Sequence, residues 1–105
     1  MNPKLRTESV DFLFDSVLKL KDKEECYAFF EDLCTVNELL SISQRALVAY
    51  LLRQKKTYLE IAEATGASTA TISRVNRSLN YGCDGYELVF ERLKEDGYEK
   101  DSGRA

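Results

Sequence analysis

This sequence predicts an all-α fold of about six helices, and three observations carry the prediction. Apolar residues recur at three- and four-residue spacing along most of the chain, with no strand-like alternation. Thr or Asp stands three residues ahead of Glu at positions 22, 35, 57 and 84, each time at the head of an apolar stripe, which is the spacing of a capping box. One proline and five glycines leave few breakers, and 44% hydrophobic with 31% charged residues is the balance of an ordered helical protein, not a disordered chain. At 105 residues the chain makes one domain, short enough to gain from burying apolar surface against a second copy.

The first helix is expected over 9–20, where Val10, Phe12, Leu13, Phe14, Val17 and Leu18 are set among Asp11, Asp15 and Lys19. Asp22 and Glu25 open a second helix striped by Cys26, Phe29, Phe30 and Leu33. Thr35 and Glu38 open a third, which runs from Val36 past Leu52 as one long helix or breaks near Ser41 and Ser43. The stripes on these three helices are wide and rich in Phe. Such width exceeds what one small domain hides, so an intertwined homodimer is expected.

Gln54, Lys55 and Lys56 end the third helix with positive charge, where its dipole is negative. Thr57 and Glu60 cap a short helix with Leu59, Ile61 and Ala62 facing inward, and Gly66 stops it in the left-handed geometry of a C′ residue. Ala67 and Ser68 make the turn. Ser68 is then the N-cap of a helix over 69–79 whose Ile72, Val75 and Leu79 share the packed face. Gly82 ends that helix, and Asp84 with Glu87 caps a last one bearing Tyr86, Leu88, Val89, Phe90 and Leu93. The expected organisation is a single helical domain over 1–95 with a helix-turn-helix at 57–80, followed by a flexible tail at 96–105.

Charge is distributed unevenly along the chain. The net value is −3, which alone counts against nucleic acid, yet residues 1–44 hold five basic and nine acidic side chains, 45–82 six and two, and 83–105 four and seven. All net positive charge therefore lies in the window that contains the helix-turn-helix, and the acidic flanks belong in solvent. Other chemistries are poorly supplied. There is no histidine, and Cys26, Cys34 and Cys83 form no CxxC pair, so no metal site is expected; Cys26 and Cys34, eight apart on one helical face, are expected as buried thiols. Without histidine, paired carboxylates beside a nucleophile, or a glycine-rich phosphate loop, the chain is not expected to be an enzyme. No apolar run is long enough for a membrane span or the core of a leader peptide, and a reduced, cytoplasmic setting is expected.

A helix-turn-helix places the start of its second helix against base edges in the major groove. Here that start is Ser68, Thr69, Ala70, Thr71 and Ser73, directly after the turn residue Ala67. Small side chains permit close approach, hydroxyls donate or accept, and Ala or Thr methyls can meet a thymine methyl. Arg74 and Arg77 extend from the same helix, while Lys55, Lys56, Thr57 and Tyr58 stand at the head of the helix that crosses the backbone. These cations and hydroxyls serve phosphate contact and positioning.

The motifs GASTATISR and NRSLNYG, preceded by LLRQKKTYLEIAEAT, resemble the tryptophan repressor family, and most closely its YerC/YecD-like branch. The resemblance covers about residues 22–93. It implies an all-α, intertwined dimer of six helices that binds double-stranded DNA, with base reading at Thr69, Ala70 and Ser73 and a phosphate near Thr71. It also implies where an effector pocket would lie: Gln44, Arg45, Arg74, Val75 and Ser78. Arg74 and Ser78 match pocket residues of the family. Gln44, with Arg45 beside it, stands where a ligand-gripping arginine is found, and Val75 replaces the glycine that leaves room for an indole ring. A β-branched side chain there fills that room, which argues against tryptophan as effector. No cofactor is expected, and any small-molecule co-repressor would be a different compound.

The expected function is thus a homodimeric, sequence-specific transcriptional regulator, acting as a repressor. The alternative is a helical dimeric protein-interaction module that keeps the helix-turn-helix scaffold and offers its acidic outer helices to another protein.

Overall fold

The computed structural model of the protein describes residues 2–98. Among the described residues there are a 3-10 turn at Pro3–Leu5, six α-helices and no strand. The helices are α1 (Glu8–Val17), α2 (Lys23–Leu33), α3 (Val36–Arg53), α4 (Tyr58–Thr65), α5 (Thr69–Tyr81) and α6 (Gly85–Glu95). The chain groups into two compact units, Met1–Leu39 and Leu40–Ala105.

In the first unit local chemistry sets the helix ends. Thr7 accepts from the Val10 amide at 3.2 Å, so α1 begins one residue earlier than its stripe suggested, and Leu18–Leu20 turn off instead of extending it. Asp22 caps α2 through the Glu25 amide at 2.9 Å, while the Glu25 carboxylate reaches past it to the Lys21 amide at 2.8 Å. At α3 the exchange is reciprocal: Thr35 N–H donates to Glu38, and Glu38 N–H donates to the Thr35 hydroxyl. No residue of α1 or α2 is buried, and Phe12 and Leu18 remain 73% and 79% exposed. Cys26 is exposed too and Cys34 half-buried, which corrects the expectation of two core thiols.

The serines do not break α3. Ser43 donates its hydroxyl to the Leu40 carbonyl at 2.8 Å, which accommodates it within an unbroken helix.

The second unit holds the core. Val48, Ala49 and Leu51 of α3 pack with Ile61 of α4, Ala67 of the turn, and Ile72 and Val75 of α5, all at most 5% exposed. Leu59 is not among them; it is 70% exposed. Two residues before Ile61 on a helix turning 100° per residue, it points to the opposite side. Phe90 of α6 meets Tyr50 edge-on at 5.4 Å and stacks on Tyr86 at 5.8 Å, joining α6 to the α3 side of this core.

The start of α6 departs from the sequence reading. Asp84 occupies the N-cap position in left-handed geometry, φ 61°, and its side chain makes no capping bond, while Glu87 is taken by an ion pair with Arg53. The end of α6 is closed by a Schellman arrangement, with Gly97 N–H on Lys94 O and Tyr98 N–H on Leu93 O. That closure runs to Tyr98, whose ring meets Tyr50 edge-on at 6.3 Å. The rest of the tail expected over 96–105 lies outside the described residues.

Candidate nucleic-acid interface

The two helices of the motif are held by short-range bonds that the sequence specifies residue by residue. Lys56 N–H donates to Leu51 O and Lys55 N–H to Leu52 O, so α3 ends in a Schellman arrangement with Lys55 left-handed at φ 65°. Thr57 and Glu60 complete a full capping box, at 2.9 and 3.1 Å. The Thr57 backbone N–H holds the Glu60 carboxyl below its ordinary range, with the Thr57 hydroxyl and the Lys56 charge adding to the effect.

The turn is braced from several directions. Gly66 sits at φ 75°, where an L side chain is strained although nothing would touch its Cβ within 4 Å. Thr65 donates its hydroxyl to Ile61 O at 2.7 Å and accepts from the Ala67 amide at 3.1 Å. Across from it, Gln44 of α3 donates from Nε2 to the Thr65 carbonyl at 3.1 Å. The α5 start is capped by Ser68, whose hydroxyl accepts from the Thr71 amide and donates to the Thr71 hydroxyl, both at 3.1 Å.

These bonds sort the expected DNA-facing residues. Ala67 turns its methyl into the core. The hydroxyls of Thr57, Ser68 and Thr71 are engaged in capping, and Lys56 and Thr71 are half-buried. Outward stand Lys55 and Tyr58 ahead of or on α4, and Thr69, Ala70, Ser73, Arg74 and Arg77 on one side of α5. Thr69 and Ser73 make no side-chain hydrogen bond among the described residues, and none of Lys55, Lys56, Arg74 and Arg77 forms an ion pair there. With only Glu60 and Glu63 as acids in the two helices, this side carries net positive charge.

The outward face of α5 also includes a residue that sequence reading passed over. Tyr81 is 86% exposed, four residues beyond Arg77 and eight beyond Ser73, hence in the same row. Its i+4 spacing was the available signal; an aromatic beside Gly82 reads more readily as the end of an apolar stripe.

The five residues aligned with an effector pocket differ in exposure. Val75 is 2% exposed within the core, Gln44 is half-buried with its amide engaged, and Arg45, Arg74 and Ser78 are exposed. A cleft of about 280 Å³ lies elsewhere, between the end of α3 and α6, lined by Tyr50, Arg53, Glu87, Phe90, Lys94 and Tyr98 among others. Among the described residues no three His, Cys, Asp or Glu converge as a metal site, and no helix is long and apolar enough to cross a membrane.

Comparison with known proteins gives one consistent picture. The family model described as Trp repressor protein matches residues 8–94. A Bacillus subtilis strain 168 protein, YerC, whose function is uncharacterized, is 58% identical over 99 residues, 94% of this chain and 95% of its own. Among solved structures, a TrpR-like protein from Eubacterium eligens is 65% identical with a TM-score of 0.87, covering 94% of this chain and 100% of that one. A protein from Staphylococcus aureus described as a candidate Trp repressor is 54% identical with a TM-score of 0.84, over 87% and 91% of the two chains.

Proposed function

Because the chain belongs to the Trp repressor family, we propose that it is a homodimeric, sequence-specific DNA-binding regulator of transcription, acting as a cytoplasmic repressor. The observation that carries this reading is the outward side of α5, where small residues and uncommitted hydroxyls at its start are followed by Arg74 and Arg77, with no acid among them. Thr69, Ala70 and Ser73 read base edges, Arg74 and Arg77 hold phosphates on either side, and Lys55 and Tyr58 fix the angle at which α4 crosses the backbone. Tyr81 extends that row and donates its hydroxyl to a further phosphate. Residues 1–95 of each copy act as one domain, and the exposed apolar faces of α1 and α2 supply the dimer interface. Two recognition helices then enter successive major grooves about 34 Å apart, on a site with two-fold symmetry.

The test is selection of duplexes from a random pool, followed by titration of the Arg74→Ala/Arg77→Ala double variant against salt. Its affinity should fall on every duplex, and the slope of log K against log salt should flatten by about 4, one phosphate for each of the four arginines in the dimer. Thr69→Val or Ser73→Ala should instead change the preferred sequence with the slope unaltered. An unchanged slope in the double variant removes the arginines from the interface. Should no duplex be retained at low salt while one protein partner is captured stoichiometrically, the helix-turn-helix is a scaffold for protein interaction instead.

A further inference from the structure

We propose that Gln44 is the residue that sets the reading head in its DNA-binding geometry, so that the protein binds its site without a small-molecule effector. The inference rests on the DNA-binding reading above and concerns how that same site is controlled.

α4 is only eight residues long, and a helix that short has little stability of its own. Its position, and with it the turn that aims α5, depends on what holds its two ends. The first end is closed locally by the Thr57–Glu60 capping box. The last turn leaves carbonyls with no partner inside the helix. The Gly66 amide satisfies Ala62 O at 2.8 Å, and the Thr65 hydroxyl, anchored on Ile61 O, holds the Ala67 amide. Thr65 O is met from outside, by the Gln44 side chain across 21 residues of sequence. Among the described residues this bond ties the turn to α3 by polar contact, at a half-buried place.

Around it the space between α3 and the two reading-head helices is filled by the chain itself. Val48 and Leu51 from α3, Ile61 from α4, and Ile72 and Val75 from α5 are each at most 2% exposed. A small molecule that stiffened the head against α3 would have to displace this packing or compete with the Gln44 amide. Both tasks, filling the space and bridging the two parts, are already performed by side chains. Gln44 is therefore a positioning residue: it touches no nucleic acid and acts through Thr65 and the Gly66–Ala67 turn. Effector control of binding usually amounts to changes of about 5- to 150-fold, and this arrangement leaves no such step.

The experiment uses the full chain and a duplex selected by the wild type from a random pool. Extensively dialysed wild-type protein should bind that duplex with a Kd that changes less than twofold when each amino acid is added at millimolar concentration. Gln44→Met keeps the length and removes the donor, and Gln44→Glu keeps the shape and sets a carboxylate against the carbonyl. Both should weaken specific binding about tenfold with the salt slope unchanged, because no phosphate contact is lost. Amide exchange should quicken at Gly66 and Ala67 and stay at wild-type rates at Val48 and Leu51. A merely structural role would instead quicken exchange throughout the core. Wild-type affinity in both variants, or a tenfold gain on adding an amino acid, would overturn the inference while leaving DNA binding intact. Failure of the wild type to retain any duplex would overturn both.

Discussion

Lys55 shows how one residue can serve two demands that pull in opposite directions. It is the C′ residue that ends α3, at φ 65°, a conformation that costs an L side chain about 1–2 kcal/mol and that glycine adopts freely. Its side chain is also exposed at the head of the reading unit, on the side where net positive charge collects. A glycine would serve the helix end better and the interface worse. Lys55→Gly should raise stability by about 0.5 kcal/mol in chemical denaturation, the gain in φ outweighing the added entropy of the unfolded chain, and should weaken duplex binding at low salt. Loss of stability on this substitution would mean that the lysine stem contributes packing that outweighs its backbone strain. Gly82 is the opposite case, with no room for a substituent: a Cβ there would sit 2.3 Å from the Ser78 carbonyl oxygen.

Among the elements, α4 depends most on its ends, and its first end is sensitive to acid. Because the Glu60 carboxyl is held below its ordinary range in the folded protein, its contribution is fully present above the ordinary glutamate range and is lost as pH falls through the lowered folded value. Glu60→Gln removes the titrating charge while keeping an acceptor for the Thr57 amide. The melting temperature of the wild type should exceed that of Glu60→Gln near neutrality, and the difference should shrink to nothing as the pH is lowered through the acid range. A difference independent of pH would show that the charge plays no part. Thr57→Ala, which removes the other half of the box, should cost about 1 kcal/mol at neutral pH. Capping pairs at 35 and 57 were legible in the sequence because both partners lie within one turn. At 84 the same spacing misled: Asp84 has a left-handed backbone and makes no side-chain capping bond, and Arg53, 34 residues distant, claims Glu87.

For the whole molecule, the exposed faces of α1 and α2 weigh most. Full burial of a Phe or Leu side chain is worth about 1.5–3 kcal/mol, and Phe12, Phe14, Leu18 and Leu33 are each at least half exposed. The proposed dimer recovers that free energy. Thermal unfolding should therefore depend on protein concentration, the midpoint rising by a few degrees for a tenfold increase, and Phe12→Asp should yield monomers in sedimentation. A midpoint independent of concentration would remove the dimer. Helix number, the cap at Ser68, the glycine stop at 66 and the positive charge of residues 45–82 could all be read from the sequence, because periodicity, capping and charge act over one or two turns or are simple sums. That Ala67 is core, that Leu59 faces outward, and that Gln44 reaches Thr65 were settled by the tertiary structure. Those outcomes depend on rotations of whole helices and on pairs tens of residues apart, and local pattern carries no information about either.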